Sequence, residues 1–268
     1  MSADDQQRVD SLFDDEAAFW RDVYVEEGLY GEVFRERHER ALAYVDALGL
    51  PGGTRVLDAG CGAGRLSVDL ARRGLRVHAV DTAEKLVDAA RETVNAAGLS
   101  DAVGVRTADV HALPFEDGTF AAVVALGLLP WVHTPARALA ELARVLAPGG
   151  HVVLSCDSAA ALQSWLDPRL VPATSGTKRA LYRLLGRTAP PWPRTYSRRE
   201  LRRLLGSAGL APVAWDSIQF GPFSFLGRRL LGTKAELGLH AALQRRADAG
   251  RRPWRRLGMQ HLVLARRS

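Results

Sequence analysis

Apolar and polar positions fall into short alternating blocks along the middle of the chain. Apolar runs close at Val56-Leu57 and then cover residues 75–80, 103–107, 120–126 and 151–155, lengths that suit buried strands. From Arg65 the pattern changes to helical spacing, with Leu66 and Leu70 on one face and Gly74 as a stop. Residues 135–146 read as another helix, and Ser197-Arg198-Arg199-Glu200 is a capping box opening a helix over 198–207 that ends before Gly209. Residues 8–48 read as helical, broken at Gly28 and Gly31, and Pro51-Gly52-Gly53 turns the chain into the first strand. Strands alternating with helices predict an α/β chain built on a mostly parallel sheet.

The turn after the first strand carries the densest chemical information. Residues 56–64 are Val-Leu-Asp-Ala-Gly-Cys-Gly-Ala-Gly. Gly60, Gly62 and Gly64 supply a loop without Cβ atoms, able to take positive φ and to let a ligand approach the backbone. Strand, glycine turn and helix form the entry to a nucleoside crevice at the carboxyl edge of a parallel sheet. The second strand ends at Asp81, where a carboxylate can accept from both hydroxyls of a ribose; the plainer alternative is a helix-start residue before Thr82. A nicotinamide dinucleotide site is the main rival, but its G-x-G-x-x-G spacing is absent: Arg65 follows Gly64 directly.

With these residues in order, the chain resembles the class I S-adenosylmethionine-dependent methyltransferases over about residues 52–157. The resemblance rests on the Asp58/Gly60/Gly62/Gly64 loop, Asp81, the Asp109 segment running into Leu113-Pro114-Phe115, the strand at 120–126, and Arg-Val-Leu-Ala-Pro-Gly-Gly at 144–150. It implies a Rossmann-like seven-stranded mostly parallel sheet with helices on both faces. It also implies a cofactor, S-adenosylmethionine, held by Asp58, Gly60, Cys61, Gly62, Gly64, Asp81 and Thr82. Asp109 and the Val110 backbone would meet the adenine, while Leu126 and Gly127 would face the sulfonium. An Asp that often precedes the fourth strand in the family is Ala121 here.

By the same resemblance, residues 1–50 are an N-terminal helical lid and residues 51–268 the methyltransferase domain. Trp20, Tyr24 and Tyr30 are lid candidates, with packing of a helix onto the sheet as the structural alternative. Residues 211–220 and 258–265 are the two last strands, an antiparallel pair. The proline-rich stretch 160–196, with a short helix at 178–185, and the helical insertion 221–257 are candidate substrate caps. Trp131, Phe223 and Phe225 are the candidate acceptor contacts, and the paired arginines Arg228-Arg229 would favour an apolar, anionic acceptor.

Composition narrows the class without fixing the acceptor. With 47% hydrophobic and 25% charged residues, the 268-residue chain is of the globular kind. Residues 1–20 are acidic and lack the apolar stretch of a signal peptide, and no run suits a membrane span. The two cysteines, Cys61 and Cys156, read as buried small residues, which fits a cytoplasmic protein. The net charge of +6 divides unevenly: residues 1–168 carry 15 Lys+Arg against 26 Asp+Glu, and residues 169–268 carry 21 against 4. The basic part suits either attraction between the two halves or contact with an anionic substrate, carrier protein, lipid surface or nucleic acid.

The expected activity is methyl transfer to an oxygen, nitrogen or carbon of a small molecule. His133, just beyond the fourth strand, is the candidate base, with His111 and His38 behind it. No metal-ligand spacing is present and no metal is expected. The Asn-Pro-Pro-Tyr motif of exocyclic-amine methyltransferases is replaced by residues 127–131. Nucleic acid is therefore not expected as a partner, although a methyltransferase acting on RNA or protein is an alternative, as is a non-catalytic cofactor-binding regulator of the same fold. Peripheral membrane contact and the choice between monomer and homodimer stay open.

Overall fold

The computed structural model describes residues 3–167, 184 and 192–268. The helix expected at 178–185 and most of the 160–196 segment lie outside the described residues.

Seven strands form one sheet in the order β3-β2-β1-β4-β5-β9-β6. They are β1 (Arg55–Ala59), β2 (Arg76–Asp81), β3 (Val103–Thr107), β4 (Phe120–Leu126), β5 (Leu146–Asp157), β6 (Leu210–Ile218) and β9 (Gln260–Arg267). Pairings among β1–β5 are parallel, while β9 runs antiparallel between β5 and β6. The order reverses between β1 and β4, where a parallel α/β sheet opens its ligand crevice beyond the carboxyl ends of the strands.

Strand periodicity sends neighbouring residues of β1 to opposite cores. Leu57 and Ala59 join the cluster formed with α6 (Pro135–Val145) and α8 (Arg198–Ser207), through Leu139, Leu142, Leu201 and Leu205. Val56 joins the other cluster, formed with α3 (Leu29–Ala47), α4 (Arg65–Ala71) and α5 (Glu84–Ala96). Both faces of β1 are thus covered, which explains its unbroken apolar character. The Ser197 cap forms as its motif predicts, with Ser197 Oγ accepting from the Glu200 N–H at 3.2 Å.

Three local outcomes differ from the pattern. Helix α5 was not among the expected elements, although Leu86, Val87, Ala90 and Val94 lie on its buried side at helical spacing. Gly31 does not break a helix: it lies in the first turn of α3, where a Cβ would come within 2.0 Å of the Glu26 carbonyl oxygen. Its role is to admit the loop before α3, which Arg35 clamps by donating to the Tyr24 and Glu26 carbonyls at 3.0 and 3.1 Å. Strand β5 begins earlier than expected, at Leu146, with an irregularity opposite Phe120 and Ala122.

The helices α1 (Ala3–Asp15) and α2 (Ala17–Asp22) precede α3. Asp10 of α1 accepts from Thr82 Oγ1 at 2.8 Å, and Asp14 accepts from the Lys85 N–H at 2.9 Å at the start of α5. A short helix, α7 (Leu162–Leu166), follows β5, and between β6 and β9 lie a hairpin of β7 (Ser224–Phe225) and β8 (Arg228–Arg229), then α9 (Thr233–Asp248) and a short turn at Trp254–Arg256. Helix α9 is tied to α3 by Arg40–Asp248 at 2.7 Å and His240–Glu36 at 3.4 Å.

Gly64 combines φ +83° with a virtual Cβ only 3.0 Å from Ala90 Cα, so α4 and α5 meet there at backbone distance. Gly64→Ala should destabilise the protein by roughly 2–4 kcal/mol through backbone strain and overpacking. Gly62→Ala, where a Cβ meets nothing within 4 Å, should cost only the strain part. Denaturant unfolding of the two variants checks this ordering.

Candidate active site

A cavity of about 640 Å³ opens at the carboxyl ends of β1, β2, β4 and β5. Its floor is the loop after β1. Gly60 and Cys61 donate their N–H groups to the Val80 carbonyl at 2.8 and 3.0 Å, which anchors the loop to β2. Gly60, Gly62 and Gly64 all have positive φ. A Cβ on Gly60 would stand 3.1 Å from Leu128, so this position has no room for a side chain, whereas Gly62 faces open space.

Two carboxylates frame the floor. Asp81 accepts from the Gly62 N–H at 2.9 Å through one oxygen and from the Ala83 N–H at 3.1 Å through the other. Its pKa is raised because burial outweighs these hydrogen bonds. Asp58, 1% exposed, accepts from Ser67 Oγ at 2.6 Å. Burial pushes its pKa up to about 7, against the Ser67 hydrogen bond and with help from nearby Asp81.

The roof comes from the N-terminal helices. Trp20, Tyr24, Tyr30 and Phe34 line the cavity with Phe13 and with Trp131 from the loop after β4. Their rings form a contact chain: Phe13 meets Trp131 edge-on at 5.2 Å and Trp20 at 5.3 Å, and Trp20 meets Phe34 at 5.7 Å. Leu126 and Gly127 form the wall at the end of β4, where the Gly127 N–H donates to Ser155 Oγ at 2.9 Å.

The cavity wall therefore brings together Asp58, Gly60, Cys61, Gly62, Asp81, Thr82, Leu126, Gly127, Trp20, Tyr24, Tyr30 and Trp131. Gly64 sits one step behind, against Ala90. Asp109 and Val110 are not in the wall. Val110 is buried in the core, and Asp109 closes its own turn by accepting from the His111 N–H at 2.8 Å and from His111 Nδ1 at 2.6 Å. Burial pushes the Asp109 carboxyl up, but these hydrogen bonds win and hold it below its ordinary value.

Three of the expected groups lie apart from the cavity wall. His133 is outside the wall; it stacks on His111 at 3.8 Å, and burial followed by the His111 charge lowers its pKa. His38 likewise faces Asp69, at 2.8 Å, rather than the cavity. Phe223 and Phe225 do not reach the cavity either. Phe223, 4% exposed, packs with Phe220, Leu243 and Ala247, while Phe225 is 49% exposed on the hairpin. The insertion is held along α3, with Phe223, Leu243 and Ala247 packed inward and Phe225, Leu226, Leu230 and Leu239 left exposed, and only the chain just beyond it, at Met259 and Gln260, reaches the wall. Wall residues that the sequence reading passed over include Asp10, Arg37, Asp69 and Asp157. Asp157 carries the clearest missed signal, as the acidic end of a buried strand.

Residues 57–154 match the family model for a methyltransferase domain. A demethylmenaquinone methyltransferase of Thermobifida fusca is 34% identical over 197 residues, covering 70% of this chain and 81% of that protein. The chain belongs to the class I S-adenosylmethionine-dependent methyltransferase family. A ubiquinone biosynthesis O-methyltransferase of Methylocella silvestris is 35% identical over 173 residues, covering 63% of each chain. The chain spans 47–63% of the length of the first curated relatives it matches. Among solved structures, a [4+2]-cyclase, SpnF, superposes with TM-score 0.66 at 20% identity over 98% of this chain and 95% of its own.

Because the folded-state pKa of Asp58 lies above its unfolded value, the folded protein binds the extra proton. Stability from this group is present at acid pH and falls as pH rises from about 4 through about 7. Asp58→Asn keeps an acceptor for Ser67 and removes the titration. Its stability relative to wild type should improve between pH 5 and pH 8, as measured by urea unfolding at both values.

Proposed function

We propose that the protein transfers a methyl group from S-adenosylmethionine to a small molecule enclosed in the cavity. The observation that carries this reading is the composition of that one cavity: a glycine floor with two carboxylates at one end and an aromatic roof at the other. The floor suits the cofactor. Gly62 leaves its backbone open to the cavity, and Asp81 retains acceptor capacity for ribose hydroxyls beyond its two backbone bonds. Asp58, in the same wall, would suit the amino-acid end. The loop lacks the dinucleotide glycine spacing, which agrees with a ligand carrying no phosphate.

When bound, the cofactor supplies an electrophilic methyl on sulfur. The protein's task is then to exclude water and hold an acceptor atom in line, about 3–3.5 Å from that methyl. Leu126 and Gly127 form the wall where the two reactants would meet, and Trp20, Phe13 and Trp131 close the space above. Residues 1–50 act in this reading as a lid, fastened by the Asp10–Thr82 and Asp14–Lys85 hydrogen bonds. The names of the relatives, ubiquinone biosynthesis O-methyltransferase and demethylmenaquinone methyltransferase, support a small-molecule acceptor. No helix among the described residues is long and apolar enough to cross a membrane, and the buried free thiols of Cys61 and Cys156 suit a cytoplasmic location.

The rival expectation, a non-catalytic cofactor-binding regulator of the same fold, is not favoured by the methyltransferase names of the relatives. Transfer of a labelled methyl group to any acceptor separates the two.

Asp81→Ala should weaken S-adenosylhomocysteine binding by about 1–3 kcal/mol in calorimetry, since it strips an acceptor from the ligand and leaves the Gly62 N–H unpaired. Wild-type protein that binds no S-adenosylhomocysteine would remove the methyl-transfer reading. Hydrogen exchange of residues 8–30 should slow when S-adenosylhomocysteine is added; equal exchange with and without it would reduce this segment to structural packing.

A further inference from the structure

Arg37 is a buried cation with no ion-pair partner among the described residues. It stands on α3, 7% exposed, and lines the cavity. Its Nε–H is buried without a partner, and no described residue hydrogen-bonds or ion-pairs with its guanidinium. The group lies 4.7 Å from the Phe34 ring centroid, a contact that softens its charge but accepts none of its in-plane N–H groups. Asp157, also in the wall, interacts with it through charge but lies beyond ion-pair distance, and its Oδ1 accepts from Gln260 Nε2 at 2.9 Å. Arg144, by contrast, donates to Glu141, Asp117 and two backbone carbonyls. A buried guanidinium with spare donors is costly unless an anion joins it.

Position adds a second argument. A Cβ on Gly127 would stand 2.9 Å from Arg37 Nη1, so the guanidinium presses on the end of β4. In the methyl-transfer reading, on which this inference rests, that end of β4 faces the sulfonium. Two neighbouring positive charges in a partly enclosed cavity repel unless negative charge lies between them.

We propose that Arg37 is the anion-binding residue of the acceptor site, holding an acidic oxygen of the acceptor (phenolic, enolic or carboxylic) in its ionised form beside Gly127. An oxygen held as its anion has already lost its proton to solvent. It needs no protein base, which accords with a wall that His133 does not join. The arginine pairs of the insertion, Arg228-Arg229, are exposed on the hairpin and are not needed for this recognition.

The test is a set of titrations with 4-nitrophenol and benzoate, each against its neutral counterpart, nitrobenzene and benzamide, with and without S-adenosylhomocysteine. Wild-type protein should prefer at least one anion by about tenfold or more, as charge-assisted pairing to arginine allows. Arg37→Gln should abolish the preference, and Arg37→Lys should keep part of it. Bound 4-nitrophenol should show the visible absorption of its anion at a pH where much of the free compound is protonated. A preference for nitrophenolate assigns the oxygen to the reacting hydroxyl, and a preference for benzoate alone assigns it to a separate carboxylate. Equal affinity for anion and neutral compound in the wild type, or an anion preference that survives Arg37→Gln in a variant shown by circular dichroism to be folded, overturns the proposal. Calorimetry with S-adenosylhomocysteine in the same samples keeps the two claims apart. An Arg37-dependent anion preference without cofactor binding would retain the anion site and discard methyl transfer.

Discussion

The Asp81 carboxylate joins two elements that would otherwise be free to separate. One oxygen accepts from the Gly62 N–H in the loop after β1, and the other from the Ala83 N–H before α5. This fixes the glycine loop relative to the tip of β2, and the Gly60 and Cys61 bonds to the Val80 carbonyl complete the attachment. The crevice at the β1/β4 reversal then has a rigid floor on which a nucleoside can rest. Thr82, the next residue, carries the bond to Asp10, so the same strand tip also locates the first N-terminal helix. Floor and N-terminal helices are therefore aligned through one short segment, residues 81–83.

The roof depends on a different kind of contact. Phe13, Trp20, Phe34 and Trp131 pack edge-on or tilted across four separate elements, three N-terminal helices and the loop after β4. Aromatic contact of this kind is broad and tolerant of small shifts, whereas the floor is held by directional hydrogen bonds. A rigid binding floor beneath a roof of sliding rings suits a cavity that must open for exchange and then shut out water.

Part of the basic C-terminal charge rests on the protein's own aromatic rings. Arg198 and Arg202 lie over the Trp215 ring, Arg246 over Trp254, and Arg40 of the acidic half pairs with Asp248. Burial and neighbouring arginines lower the pKa of Arg198, a sign of how closely these charges crowd. The positive charge that faces the cavity beside Gly127 comes instead from Arg37, in the acidic half.

Local sequence was sufficient for the sheet and its floor. Strand lengths, the glycine loop, Asp81 and the Ser197 cap follow from steric freedom, periodicity and capping, all of which act within a few residues. The buried side of α5 is legible too, in Leu86, Val87, Ala90 and Val94 at helical spacing, although no side chain caps its start. What the sequence could not show is which distant side chains would meet. Phe223 and Phe225 carry the same apolar character as Trp20 and Phe13, yet docking of α9 on α3 turns one into the core and leaves the other on the surface. His133 stands next to the right strand but faces His111, because the turn after β3 folds beneath it. Arg37 looks in sequence like any other arginine of a helix. Only the approach of α3 to the glycine that ends β4 buries it without a partner, since burial and pairing are properties of long-range packing rather than of residue type.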